Sequence, residues 1–370
     1  MRIVRIRPFQ YRNLRDQSID PGRGITLFSG LNGQGKTNIL EAIYFLAYGR
    51  SFHTSVPKDC VRYGEPFCRV EGVIERGSLS RDLAVTISGA EKKLFLMGKP
   101  AALDEFVGNL HLLAFTHEHL GVVRGGPADR RAFLDRAMVS LYPGHIAALA
   151  AYSRALKQRN NILGAMRDGK ITYEPQLIDA WDESIARPGA RILSNRLKYV
   201  ENMKRELPKG LFGAEELKVH YLSSLGTDSA DISLLEEKFR EKLWSVREKD
   251  RNSGHTSVGP HRDDLKLYVN GKSLVDFGSS GQQRSGILSL YFSQMEIHFR
   301  EHGFYPVFLV DDAEAELDEE RLRAFLLYLS SRTQTLLTST RNFLINSISG
   351  DVLHFEVKAG EVGDATGADM

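Results

Sequence analysis

Apolar residues along this chain follow two periodicities, and the points where one gives way to the other divide it into three parts. Ile3, Val4, Ile6, Phe9 and Tyr11 are interleaved with arginine and predict an early strand. Ile25 to Phe28 form an unbroken β-branched or bulky apolar run, as a buried strand requires. Ile39, Leu40, Ile43, Tyr44 and Leu46 then recur at helical spacing up to Gly49, a stop signal for that helix. From Phe67 to Lys99, short apolar runs such as Leu83 to Ile87 and Leu94 to Met97 alternate with glycine and charged residues, which predicts antiparallel strands.

After Arg124 to Pro127 the texture changes. Ala128 to Arg159 is rich in Ala, Leu and Arg, with Phe133, Leu134, Ala137, Met138 and Leu141 at helical spacing, and further helices are expected from Gln176 to about Leu207 and from Ile232 to Lys249. From His255 the β character returns: Leu265, Leu267 and Val269 alternate with Lys266 and Tyr268 and lead into Asn270-Gly271, a hairpin turn. Ile287, Leu288, Leu290 and Tyr291 are again helical, and Pro306 to Val310 is a continuous apolar strand. Arg321, Leu322, Phe325, Leu326 and Leu329 make an amphipathic helix before a strand at Thr335 to Thr338. The expected protein is α/β, with residues 1–125 and 255–370 forming one part with a β-rich flank, and a helical arm inserted over 126–254.

Composition narrows the class. With 370 residues, 42% apolar and 26% charged, the chain has the length of about two domains and the make-up of a globular protein. No run approaches the roughly twenty apolar residues of a membrane span, and Met-Arg-Ile-Val-Arg-Ile-Arg lacks the apolar core of a secretory signal, so a cytoplasmic location without membrane contact is expected. Cys60 and Cys68 are too few for a disulfide framework and read as reduced structural thiols. A net charge of +2 leaves any nucleic-acid contact to local basic patches. Arg2, Arg5, Arg7, Arg12 and Arg15 form one, either a phosphate-holding face or a solvated strand edge. Arg130, Arg131, Arg136, Arg154, Lys157 and Arg159 form another, either a DNA-contacting face or the charged exterior of a helical arm.

Chemistry enters where the second strand meets the first helix. Gly30-Leu31-Asn32-Gly33-Gln34-Gly35-Lys36-Thr37 satisfies G-x-x-x-x-G-K-[ST] at each fixed position, and Asn38 carries on into the helix. Glycines let successive amides face an anion at a positive helix end, Lys36 reaches the β- and γ-phosphates, and the Thr37 hydroxyl serves Mg²⁺. Asp311 and Asp312 end a buried apolar strand, in the manner of a Walker B segment, with Asp311 holding the Mg²⁺ directly or through water and Asp312 as the base that orients water. Lys36, Asp311 and Asp312 are thus the expected catalytic group. Thr338-Ser339-Thr340 is either a γ-phosphate sensor or a plain strand end. Ser279-Ser280-Gly281-Gln282 opens a helix shortly before the acidic strand, where ABC-type ATPases carry their signature.

These pieces together resemble the bacterial RecF family, ABC-type ATPase heads related to the SMC proteins. The resemblance spans nearly the full length. It rests on Tyr11-Arg-Asn-Leu14, Gly30 to Ile43, Arg50-Ser-Phe52, Pro127 to Asp135, Gly259-Pro-His-Arg-Asp-Asp264, Ser279 to Arg284, Asp311-Asp312 and Glu316-Leu-Asp318. It implies that ATP at Lys36 and Thr37 of one subunit is closed over by Ser279, Gly281 and Gln282 of a second, so that an ATP-dependent homodimer holds DNA and slow hydrolysis releases it. Arg12 and Asn13 match a nucleotide-contacting position, and Asp318 a loop facing the opposite subunit. The resemblance further implies binding to gapped or junction DNA, partnership with RecR and RecO in loading RecA, and service in replication, repair and the SOS response. His117 and His119 depart from the family pattern and, with Glu118, also read as metal ligands; His53 and Ala313-Glu314-Ala315 depart as well.

Three rival readings are weaker. An ABC transporter subunit usually carries Leu-Ser-Gly-Gly-Gln and a switch histidine, neither of which is present here. An SMC-like tether needs more than an arm of about 128 residues, which folded in two reaches about 96 Å. A scaffold holding ATP without turnover does not need Asp311 and Asp312.

Overall fold

The computed structural model describes residues 1–116, 121–142, 144–172, 174–208, 216–312, 314, 317–340 and 352–364. His117, Glu118, His119, Ala313, Ala315 and Glu316 therefore lie outside the described residues. The chain divides into two compact units, Met1–His119 with His298–Met370, and Leu120–Ile297.

The first unit begins with β1 (Arg2–Phe9), β2 (Ile25–Ser29), α1 (Lys36–Tyr48), β3 (Phe67–Arg76), β4 (Leu79–Ser88), β5 (Glu91–Leu96), β6 (Lys99–Pro100), the short α2 (Leu103–Phe106) and β7 (Leu112–Phe115). The second unit carries the short α3 (Gly121–Arg124), α4 (Pro127–Met138), α5 (His145–Arg167), α6 (Pro175–Glu206), β8 (Leu217–Leu222), α7 (Ile232–Ser245) and α8 (Arg247–Ser253). It continues with β9 (Asp264–Val269), β10 (Lys272–Ser273), the short α9 (Leu274–Phe277) and most of α10 (Ser280–His302). β11 (Val307–Val310), α11 (Glu319–Ser330), β12 (Thr335–Ser339), β13 (Val352–Lys358) and β14 (Glu361–Asp364) complete the first unit.

In the first unit, β13, β2, β12, β11 and β7 lie parallel in that order, with β14 antiparallel at one edge. β1, β3, β4, β5 and β6 make the expected antiparallel flank. Helix α1 is buried on nearly every side, Ile39 to Ala47 without a break. It shares one core with Phe28, Leu309 and Leu336 of the parallel sheet and Ile3, Val70 and Val85 of the flank. A helix so placed needs apolar residues all round rather than one stripe. Leu46 packs where Gly72 leaves room on β3, a place that any side chain would fill. Cys60 and Cys68 are buried free thiols.

In the second unit the helical run from 128 to 159 is two helices, α4 and α5, with Gly144 in the left-handed region (φ 79°) ahead of α5. α6 has 32 residues, about 48 Å of helix. β8, in the stretch between the helices expected for the arm, pairs antiparallel with β9 from Leu217↔Val269 to Leu222↔Asp264. That ladder stitches residues beyond 254 to the arm. The division expected between 254 and 255 accordingly falls between 297 and 298. Asn270 and Gly271 both take positive φ, as the predicted tight hairpin between β9 and β10 requires. No helix among the described residues is long and apolar enough to cross a membrane.

Candidate nucleotide site

The parallel strands bring the predicted phosphate-binding residues to one carboxyl edge, the place where open α/β sheets bind ligands. The loop from Gly30 to Gly35 links β2 to α1. Gly30 (φ 148°) lies so close to the Val357 carbonyl of β13 that a Cβ would collide with it. Gly35 (φ 111°) caps α1, and a Cβ there would meet Asn13 Oδ1 at 2.9 Å. Both positions therefore require glycine for reasons of backbone and of space. Lys36 Nζ donates to the carbonyls of Gly30 (2.6 Å) and Leu31 (2.9 Å), closing the loop over its own ammonium. Burial lowers the Lys36 pKa from its usual value, and Asp312, Asp311 and Glu314 oppose that shift.

Strand register sets the acidic half. Val310 pairs with Leu337 and Leu337 with Leu27, so Asp311 stands level with Thr338, one strand away from the phosphate loop. Asp311 Oδ1 accepts from Thr37 Oγ1 (2.9 Å) and from Thr338 Oγ1 (2.7 Å). Thr338 Oγ1 also accepts from the Asp312 amide at 3.0 Å. Asp312 is exposed and has φ 48°, a left-handed backbone that aspartate tolerates better than most residues and that turns the chain at the strand end. The Thr338-Ser339-Thr340 strand end is tied to the acidic segment: Glu314 accepts from Ser339 Oγ (2.6 Å), Thr340 Oγ1 (2.8 Å) and the Thr340 amide (2.6 Å). Glu314 is a member that the sequence pattern alone did not single out.

Three further residues brace the loop. Asn13 Nδ2 donates to the Gly33 carbonyl (3.2 Å), and Asn13 Oδ1 accepts from Asn38 Nδ2 (2.7 Å). Arg12 makes a two-pronged ion pair with Glu41 of α1, 2.6 Å at each contact, and Ser51 donates to the same carboxylate. Glu41 is fully buried. Its role was missed; the signal was a carboxylate set within an apolar helical run, opposite an arginine-rich strand end. The C-terminal hairpin was missed altogether. Its turn at Ala359 and Gly360, both at positive φ, grips Gln34: the Ala359 amide donates to Gln34 Oε1 (2.7 Å) and the Gly360 amide to the Gln34 carbonyl (2.8 Å). In the early basic run, Arg2 pairs with Glu75 and Arg5 with Asp20, the strand-edge alternative for those two.

In the second unit, Ser279 and Gln282 form a reciprocal capping box at the start of α10. The Ser279 amide donates to Gln282 Oε1 (2.9 Å) and the Gln282 amide to Ser279 Oγ (3.2 Å). Ser279 and Phe277, two residues before it, are exposed, and Gly281 is half-buried. Pro127 to Asp135 and Gly259 to Asp264, two of the segments that carry the resemblance, turn charged side chains inward. Arg130 forks onto Asp264 (2.7 and 3.0 Å), Arg196 onto Asp135 (2.9 and 2.8 Å), and His261 hydrogen-bonds Tyr152 (2.7 Å). Arg159 bridges Asp182 (2.7 Å) and Asp250 (2.8 Å). Arg130 and Arg159, which the sequence placed either on a DNA-contacting face or on the charged exterior of the arm, are buried in these pairs, because each faces a carboxylate that its own unit encloses. Arg154 and Lys157 are exposed.

A phosphate loop and an acidic strand end on one parallel sheet, an antiparallel flank and an inserted arm define an ABC-type ATPase head. An SMC head bound to the C-winged helix domain of ScpA shares that fold, with a TM-score of 0.57 at 13% identity over 100% of this chain and 99% of the other. The family described as "RecF/RecN/SMC N terminal domain" matches residues 2–360. The "DNA replication and repair protein RecF" of Halothermothrix orenii is 34% identical over 97% of this chain and 98% of its own length. That of Myxococcus xanthus is 35% identical over 98% and 97%. A solved "recombination mediator protein RecF-ATPrS in RecFOR pathway" superposes with a TM-score of 0.91 at 30% identity, covering 99% of this chain and 98% of that one. The chain belongs to the RecF family.

Proposed function

We propose that this protein is an ATP-gated DNA-binding protein of replication and recombinational repair. ATP closes two copies into a dimer on gapped or junction DNA, and weak, DNA-stimulated hydrolysis reopens it. The observation that carries the reading is the convergence of Lys36, Thr37, Asp311 and Thr338 on one sheet edge. Thr37 Oγ1 and Asp311 Oδ1 are 2.9 Å apart, which fits adjacent oxygen ligands of an octahedral ion at 2.0–2.1 Å, themselves about 2.9 Å apart. Thr37 and Asp311 would hold Mg²⁺ there, which would supply positive charge against the phosphates.

The chain's own residues supply the rest. Lys36 exchanges its two loop carbonyls for phosphate oxygens, the loop amides and the α1 N-terminus hold the anion, and Asp312 orients the attacking water. Thr338 fixes the Asp311 carboxylate, and Arg12 and Asn13 brace the loop. The shared-site dimer is supported by two exposed apolar residues, Leu31 in the phosphate loop and Phe277 beside the signature, 76% and 75% exposed. Such side chains gain by being covered. Ser279, Gly281 and Gln282 are the groups expected to close over the nucleotide of the partner subunit. From the family we carry over, as part of this proposal, the partners RecR and RecO, their loading of RecA, the SOS role and a cytoplasmic location.

The test is binding to a gapped and to a plain duplex at fixed salt, with ATP, ADP or no nucleotide, while mass in solution is followed. An ATP-specific dimer with tighter DNA binding, absent in Ser279→Arg although that variant still binds ATP, is expected. ATP binding that changes neither mass nor DNA affinity would sink the clamp and reopen the scaffold reading.

A further inference from the structure

The first unit holds a second polar cluster at the opposite edge of its parallel sheet. His111 stands immediately before β7, at the amino end of that strand, whereas the nucleotide site gathers at the carboxyl ends. His298 and His302 lie four residues apart in the last turns of α10, on one helix face. His111 Nδ1 is 2.7 Å from His298 Nε2, and the three ring centroids stand 4.7 to 4.8 Å from one another. One nitrogen from each ring falls within 4.8 Å of the other two. His111 and His298 are buried and His302 is half-buried. Phe304 packs against all three rings.

One proton joins the two buried rings of this cluster. His298 Nδ1 is 2.9 Å from the Phe304 carbonyl oxygen, so that nitrogen carries the proton and Nε2 presents its lone pair. A neutral imidazole has one N–H, so the 2.7 Å contact between His111 Nδ1 and that lone pair is held by a single proton on His111 Nδ1. Moving this proton to His111 Nε2 leaves two lone pairs facing each other, which a cation can take together, and imidazole suits zinc, copper and nickel rather than Mg²⁺.

We propose that His111, His298 and His302 form a binding site for a divalent transition ion of the zinc class, separate from the nucleotide site, that clasps the amino end of β7 to the end of α10. The carbonyl bond from His298 to Phe304 is the orienting contact that metal-bound histidines make through their second nitrogen. Nitrogens at 2.0–2.1 Å from a tetrahedral ion are about 3.3 Å apart, so His111 and His298 separate by about 0.6 Å on binding. Arg76, held 5.4 Å over Phe304, opposes the cation and keeps affinity below that of a site with a carboxylate.

The test uses the whole protein without a histidine tag, stripped by chelator and titrated with Co²⁺ in millimolar Mg²⁺ and no nucleotide. Expected are one Co²⁺ per chain with the strong visible absorption of a tetrahedral site, displacement by Zn²⁺, and a rise in melting temperature of about 5–10 °C at a hundredfold excess of Zn²⁺ over its Kd. His302→Gln, at the half-buried position, should lose at least tenfold in affinity, and His298→Gln/His302→Gln the spectrum entirely, with ATP binding as in the parent. A parent with no stoichiometric tetrahedral spectrum, or a double variant that folds, binds ATP and keeps the spectrum, would overturn the site.

Discussion

The carboxylates of the first unit's nucleotide site and those of the second unit's interior are the same group held in different ways. Asp311 ends a buried strand on an open sheet edge, and its hydrogen-bond donors are the hydroxyls of Thr37 and Thr338, neutral groups that yield readily to a cation. Asp135, Asp182, Asp250 and Asp264 are each met by an arginine at 2.7 to 2.9 Å inside the second unit. The first arrangement leaves negative charge to be used. The second cancels it, because an uncompensated buried charge costs several kcal/mol. Arg130-Arg-x-Phe-Leu-Asp135 and Gly259-Pro-His-Arg-Asp-Asp264 belong mostly to the second arrangement.

The largest effect should therefore come from the interior. Arg159→Ala leaves buried Asp250 without its arginine, while Asp182 keeps Arg247 at 2.8 Å, and should destabilise the second unit by about 3–5 kcal/mol, read from urea unfolding. A loss below about 1 kcal/mol would mean that the pairs are solvated and the contrast false. Lys36→Ala should act the other way round, with stability within about 1 kcal/mol of the parent and ATP affinity down at least about a hundredfold, near 2.8 kcal/mol. Unchanged ATP affinity in a nucleotide titration would remove the phosphate-loop assignment.

Acid should separate the two regions next. Asp135 is held down to about 2: burial raises its pKa, but Arg196 and His145 outweigh that. Its folded value lies below the unfolded one, so its contribution is complete above about pH 4 and is lost as pH falls through about 2, a change of about 2 kcal/mol. Unfolding followed from pH 5 to 2 should show that slope in the parent and a flatter one in Asp135→Asn. Equal slopes would place the acid sensitivity elsewhere.

The two regions also differ in how plainly they could be read. The phosphate loop was legible because its chemistry constrains a contiguous string, Gly30 to Thr37, and because strand and helix periodicities flank it. Asp311 and Asp312 were legible for the same reason. Glu41, Glu314 and the hairpin at Ala359 were not, since each earns its place through a partner far along the chain: Arg12, Thr340 and Gln34. β8 was missed because a six-residue alternation is a weak signal beside a 32-residue helix, and only its pairing with β9 places residues after 254 with the arm. An arginine on a helix looks the same in sequence whether a carboxylate or a solvent layer faces it, so Arg130 and Arg159 could not be told from Arg154 and Lys157.

That last distinction gives the smallest and most specific expectation. Arg154 and Lys157 are three residues apart on α5, exposed, and so placed on one face of the helix, whereas Arg159 on the same helix is fully buried. If that face meets the DNA backbone, Arg154→Ala and Lys157→Ala should each weaken binding by a few-fold at fixed salt, without regard to sequence. Each should also reduce the slope of log affinity against log salt by about 0.9, since each removes about one phosphate contact. Neither should move the unfolding midpoint, because surface substitutions of this kind stay within about 0.5 kcal/mol. The slope is the deciding quantity: a folding defect lowers the active fraction at every salt concentration alike, while a lost phosphate contact changes how steeply affinity falls. An unchanged slope in both variants would assign the exposed face of α5 to solvation and move the DNA contact to other basic residues.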